Sequence, residues 1–126
     1  MTESGFAHVD ATGAARMVDV SGKDVTVRTA TASGRVLVSP QVVALLRGAG
    51  VPKGDALAVA DDHVAITAVV RTADRTGVEM EALTSVAVAG LALVDMVKSV
   101  DRGAVITDVR VEEKTGGRSG TWTRTG

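Results

Sequence analysis

The chain predicts an α+β domain, an antiparallel sheet with two helices on one face. Three observations carry that expectation. Two segments hold helical spacing with no internal Pro, four segments read as strands, and the two kinds follow one another as β-α-β-β-α-β.

Residues 25–38 alternate like a strand, with Val25 and Val27 on one parity and Val36 and Val38 on the other. The change of parity across Ser33-Gly34 predicts a bulge or bend there. Ser39-Pro40 starts a helix, with Ser as cap and Pro at the first helical position. Val42, Leu45, Leu46 and Ala49 follow at helical spacing, and Gly48 and Gly50 end it. Beyond a loop at 51–55, residues 56–60 and 63–71 predict a hairpin turning at Asp61-Asp62. Val64, Ile66, Ala68 and Val70 share one face of its second strand, opposed by Ala65, Thr67, Val69 and Arg71. Thr76 followed by Glu79 is a capping-box pattern: the hydroxyl accepts a first-turn N–H, and the carboxylate reaches back to the Thr N–H. It opens a helix over 77–100, about 35 Å long at about 1.5 Å per residue, stopped by Asp101-Arg102-Gly103. Val105, Thr107, Val109 and Val111 then alternate with Ile106, Asp108, Arg110 and Glu112, a half-buried strand. Residues 1–24 are an arm without a clean period, and 113–126 are a Gly/Thr/Arg-rich tail. The whole, 1–126, is one domain of the ferredoxin-like split βαβ type.

Composition narrows the function classes. The formal net charge is −1, which gives no electrostatic case for binding nucleic acid or a membrane surface. Phe6 and Trp122 are the only aromatics, too few to stack nucleobases. Cysteine is absent, which removes disulfides and thiolate metal sites and fits a reducing compartment. Residues 1–16 hold no apolar core of a signal peptide, so the expectation is a cytoplasmic soluble protein. His8 and His63 lack the spacing of a metal site and read as solvated, and Asp61-Asp62 is turn chemistry. Neither a metal nor a cofactor is expected.

The middle of the long helix, Val86-Ala87-Val88-Ala89-Gly90-Leu91-Ala92-Leu93-Val94, is apolar on every side. A helix apolar all round must be covered all round, and this run is too short to span a bilayer, which needs about 20 apolar residues. One face is expected on the sheet and the other on a second copy, which predicts a homo-oligomer. Gly90, costly in a helix interior, marks a close approach. Glu81 and Asp95 lie within roughly 40° of one another around the axis and Lys98 is one turn on, so a polar line borders the expected seam.

Three stretches go further. Thr76-Gly77-Val78-Glu79-Met80-Glu81-Ala82-Leu83-Thr84, with Asp95-Met96-Val97-Lys98 downstream, resembles the cyclic pyranopterin monophosphate synthase family of molybdenum cofactor biosynthesis. Gly13-Ala14-Ala15-Arg16-Met17-Val18-Asp19-Val20-Ser21 and Lys114-Thr115-Gly116-Gly117-Arg118-Ser119-Gly120 look like that family's terminal signatures, and Lys53-Gly54-Asp55 also matches. The resemblance implies a lyase that converts a cyclised dihydro-GTP derivative (3',8-cyclo-7,8-dihydro-GTP) to cyclic pyranopterin monophosphate and pyrophosphate. It also implies a hexamer, a trimer of dimers, with sites at subunit interfaces. Asp95 and Lys98 take the positions of catalytic residues, and Met80, Glu81 and Lys114 those of substrate-binding residues. Glu79 is shared between pocket and cap, Arg118 assists, and Arg16 and Arg28 are further phosphate candidates. Each has a plain structural reading too: Asp95 and Lys98 as an i,i+3 ion pair, Lys114 and Arg118 as charges on a flexible tail.

The family also carries several tens of residues between the equivalents of about Leu57 and Asp61. They include a Lys-Arg-Thr stretch and a Cys-His-Pro stretch whose Lys and His belong to its active site. Nothing here matches them, since the only lysines are Lys23, Lys53, Lys98 and Lys114 and the only histidines His8 and His63. The fold is therefore expected in a shortened form, and a non-catalytic ferredoxin-like oligomer with a partial nucleotide pocket stands as the alternative function.

Overall fold

The structure, a computed structural model, describes residues 25–50 and 57–126. The expectations for the arm 1–24, with His8, Arg16 and the stretch 13–21, and for Lys53-Gly54-Asp55 lie outside the described residues.

The elements are β1 (Thr26–Leu37), α1 (Pro40–Gly48), β2 (Leu57–Val59), β3 (His63–Asp74), α2 (Glu79–Val97), β4 (Val105–Thr115) and β5 (Trp122–Thr123). They form one five-stranded sheet in the order β2-β3-β1-β4-β5, every neighbouring pair antiparallel. The order of the first four strands is the split βαβ that the element sequence predicts. Both helices lie on one face. Leu46 of α1 and Leu93 of α2 join Val36, Val64 and Ile66 in a single core cluster. The opposite face, with Arg35, Thr67, Val69, Arg71 and Arg110, is open to solvent.

That core is built from small side chains. Ala30, Ala32, Val36, Ala82 and Val86 are fully buried, and among the described residues no polar side chain is. Small residues bury little area each, so contact depends on backbones coming close. Two glycines allow it. A β-carbon on Gly34 would stand 2.7 Å from Val86 Cγ1, and one on Gly90 would stand 3.3 Å from Ile106 Cδ1. The sequence expectation for Gly90 holds in kind: the close partner is the chain's own β4.

Four local expectations are corrected. The register of β1 against β3 is unbroken from Thr26–Asp74 to Leu37–His63, so β1 carries no bulge; Val25 and Val27 simply face solvent, 55% and 52% exposed. The irregularity at Ser33-Gly34 belongs to β4, where Asp108 and Val109 together oppose Gly34 between the pairs Ser33–Arg110 and Arg35–Thr107. Asp108 adopts φ +56°, a left-handed conformation tolerated by short polar residues. The Thr76–Glu79 capping box does not form. The helix starts at Glu79 behind Val78, and no side chain caps it. Thr76 is thus too far upstream for its hydroxyl to reach a first-turn N–H, and the Glu79 carboxylate folds back over Gly77 instead. Glu79 and Glu81 still supply the negative charge that suits a helix start.

The helix ends at Val97, short of residue 100. Asp101 closes it: its carboxylate accepts the Gly103 N–H at 2.8 Å and the Ser39 N–H at 2.9 Å, tying the exit of α2 to the entry of α1. At that entry the predicted cap is in place, Ser39 Oγ accepting the Val42 N–H at 3.3 Å. The tail also folds further than its composition suggests. β4 runs to Thr115, and Trp122 and Thr123 return to pair with Lys114 and Glu113. The Arg124 guanidinium lies 5.4 Å from the Trp122 ring centre.

By length and composition the 19-residue α2 could cross a membrane, which the reading of its apolar middle alone missed. In the fold it covers the sheet, burying Ala82, Val86, Gly90, Leu93 and Val97.

Candidate functional site

The predicted site residues gather at the two ends of α2. At its start, Met80 is 67% exposed and Glu81 faces solvent beside it, while Glu79 is half-buried. The end of β3 leads directly into this turn, and β1 begins opposite it, Thr26 against Asp74. β4 delivers Lys114 to the same end, opposite Ala30. Lys114 Nζ donates to Gly116 O at 3.2 Å and to Ser119 Oγ, so its ammonium is held inside the glycine turn.

That turn is sterically defined. Gly116 has φ +88°, and a β-carbon there would collide with the Val27 carbonyl; one on Gly117, at φ +76°, would collide with the Arg28 guanidinium. Arg28 donates from Nε to Asp74 O at 3.0 Å and from Nη2 to Arg75 O at 3.1 Å. Its guanidinium therefore packs between Gly117 and the end of β3 that leads towards α2. Among the described candidates for phosphate contact, Arg28 has its donors turned to backbone, and Arg118 is exposed.

Asp95 and Lys98 sit at the other end. Lys98 Nζ donates to Asp95 Oδ1 at 2.7 Å, the two side chains 66% and 73% exposed. Within this chain it is a solvated i,i+3 pair of the kind that contributes a few tenths of a kcal/mol. Fourteen positions separate Glu81 from Asp95, about 21 Å along the helix axis. Glu81, Asp95 and Lys98 are all exposed, but Val88, 57% exposed, lies between Glu81 and Asp95 on that face, and a single chain does not bring the two ends together.

The open sheet face carries a cluster that the sequence reading left unassigned. Arg35 donates to Asp108 Oδ2 from Nε at 3.0 Å and from Nη2 at 2.6 Å. Ser33 Oγ donates to Glu112 Oε2 at 2.5 Å, Arg110 Nε reaches the same oxygen at 3.2 Å, and Arg124 Nε lies 3.7 Å from Glu112 Oε1. The hydrogen bond from Ser33, then the Arg110 and Arg124 charges, hold the Glu112 carboxyl below its usual range. The hydrogen bond from Arg35 does the same to Asp108. A shallow polar depression of about 590 Å³ lies over Ser33, Arg35, Thr67, Asp108 and Arg110. The signal was present in the strand alternation, where Asp108, Arg110 and Glu112 fall on one parity. At the far corner, His63 Nδ1 lies 2.6 Å from Asp62 Oδ1 with its side chain only 20% exposed, so it is a paired side chain and not the solvated one expected. That hydrogen bond lowers the Asp62 pKa.

Comparison with known proteins supplies the context. The model of the MoaC family matches residues 17–62 and 60–117, two pieces that meet at the turn between β2 and β3. The cyclic pyranopterin monophosphate synthase of Streptomyces coelicolor is 62% identical over 152 aligned positions covering 94% of this chain and 89% of the relative. That of a Nocardioides species is 59% identical, covering 94% of this chain and 95% of its own length. Cyclic pyranopterin monophosphate synthase 2 of Mycobacterium tuberculosis is 47% identical, covering 94% and 91%. In the Streptomyces coelicolor alignment, 94% of 126 residues is about 118, so about 34 of the 152 positions have no counterpart here. With the two pieces together spanning residues 17–117, the chain belongs to the MoaC family.

Proposed function

We propose that this protein carries out the reaction for which its relatives are named: a lyase step of molybdenum cofactor biosynthesis. Its substrate would be the cyclised dihydro-GTP derivative, and its products cyclic pyranopterin monophosphate and pyrophosphate. The observation that carries the reading is 62% identity to a synthase across 94% of the chain. Nothing in the comparisons favours the alternative of a non-catalytic module.

The separation of the two ends of α2 supports a site shared between subunits. A substrate the size of a nucleoside triphosphate cannot touch Glu81 and Asp95 of one helix across about 21 Å. The outward face of α2, with Val88 and Leu91 57% and 61% exposed, offers an apolar surface for a second copy. In the proposed assembly, a hexamer built as a trimer of dimers in the cytoplasm, one copy supplies Met80, Glu81 and Lys114 and a neighbour supplies Asp95 and Lys98. Lys114 meets phosphate charge from its glycine turn, and Glu81 accepts hydrogen bonds from a guanine-type N–H edge, with Glu79 beside it. Asp95 sets the protonation of Lys98 once the seam has excluded water, and Lys98 passes the proton.

The test is pyrophosphate release by the parent, Asp95→Asn and Lys114→Ala, with subunit mixing. Each variant is expected to be nearly inactive alone. Refolded together they regain part of the activity, because a mixed seam holds one intact set. Lys114→Ala is expected to weaken ligand binding, whereas Asp95→Asn leaves it nearly unchanged. No turnover by the parent would end the proposed reaction, and no recovery on mixing would end the shared site.

A further inference from the structure

Among the described residues, nothing closes the flank of α2 that faces β3. A groove of about 630 Å³, within the size range of ligand-accepting clefts, runs between Ser85, Ala89, Ala92 and Met96 of α2 and Val64 and residues 66–70 of β3. Leu46 of α1 and Leu57 and Val59 of β2 close one end of it. Its walls are largely apolar: Thr67 of β3 and Ser85 of α2 are its hydroxyl residues among those described, and Ser85 Oγ is already donating to Glu81 O at 2.9 Å. Positions 85, 89, 92 and 96 repeat at four, three and four residues, the spacing at which one helix presents a seam to another. Met96, at the end of that seam, is 70% exposed.

The sheet is incomplete on the same side. β2 pairs only with Val64, Ala65 and Ile66, and among the described residues no strand covers the outer edge of β3 beyond Ile66. The turn joining β2 to β3 is where the two family matches meet, at residues 60–62. The positions of the relatives without counterpart number about 34, enough for a helix of several turns and a strand. A gap in the chain and a gap in the packing thus fall at one place.

We propose that this groove is an acceptor site, in trans, for a helix with an apolar face, supplied by another polypeptide and of a length that the unmatched positions of the relatives can provide. The occupant is identified by chemistry the groove itself shows. It presents an apolar stripe to positions 85, 89, 92 and 96 and makes little use of charge, because among the described residues no ionisable side chain lines the groove. The inference does not depend on the reaction proposed above.

The test is calorimetric titration of the full chain with a synthetic peptide of the Streptomyces coelicolor relative's unmatched positions. A scrambled peptide is the control, and circular dichroism verifies that each variant is folded. One-to-one binding is expected, with the negative heat-capacity change of apolar burial. Met96→Arg and Ala92→Arg should weaken it about tenfold or more, and Val105→Arg, on β4, should not. Absence of binding to the folded parent overturns the proposal, as does equal loss in Val105→Arg. Loss of self-association in Met96→Arg without any peptide binding would assign the groove to a second copy and overturn it too.

Discussion

The two flanks of α2 are packed by opposite rules. Towards β1 and β4 the helix is pressed onto the sheet through Gly34 and Gly90, where even a single β-carbon would stand at 2.7 and 3.3 Å from its neighbour. Towards β3 the same helix stands off, leaving a groove of about 630 Å³. Helix and sheet are common to both flanks, so the difference lies in what each flank was built to meet. The closed flank meets strands of its own chain. The open one borders the turn where the two family matches meet.

Enlarging a side chain should therefore have opposite signs on the two flanks. The largest effect is expected from Gly90→Leu, which drives a branched side chain into Ile106 and costs about 1–3 kcal/mol, less the small gain in helix propensity. Thermal melting should fall by several degrees. A melting point at or above that of the parent would mean the closed flank has slack. Next, Ala92→Leu places similar bulk in the groove and is expected to be neutral or to raise stability by about 0.5–2 kcal/mol, as cavity filling does. A loss as large as that of Gly90→Leu would erase the contrast between the flanks.

The smallest effect concerns the open sheet face, which the helices do not touch. Glu112 is held ionised by Ser33, Arg110 and Arg124, so its folded pKa lies below its ordinary 4.5. A depressed carboxylate contributes stability that is full above the unfolded pKa and lost as pH falls through the folded one. Melting temperature should thus drop below about pH 4.5, and Glu112→Gln should be less stable at neutral pH yet flatter across that range. Asp62 and Asp108, also depressed, act in the same direction and leave a residual slope. An unchanged profile in Glu112→Gln would show that the cluster does not couple to folding.

The order of elements was legible because periodicity reports which face is buried. Val64, Ile66, Ala68 and Val70 do line the inner side of β3, and Ser39 does cap α1. What could not be read was set by partners. The parity change at Gly34 was visible, but only pairing reveals that the extra residue lies on β4. The Thr76–Glu79 pattern was present, yet burial of Val78 set the helix start beyond reach of the Thr hydroxyl. The tail, rich in Gly and Thr, hid a return strand whose order comes from Gly116 and Gly117 meeting Val27 and Arg28. For the candidate site, the sequence named the groups but not their spacing in three dimensions. One helix period accounts for Glu81, Asp95 and Lys98 sharing a face and is silent about the distance between its ends.

Trp122 has one more consequence. The chain holds one Trp and no Tyr, and that Trp lies on β5, paired with Lys114 and 44% exposed. Intrinsic fluorescence is therefore a local optical probe of the glycine turn and its return strand, while the far-ultraviolet signal of α2 follows the core. Recorded on one sample, the two colours separate release of the turn that holds Lys114 from global unfolding. Coincident curves would mean that this glycine-turn corner lives and dies with the sheet.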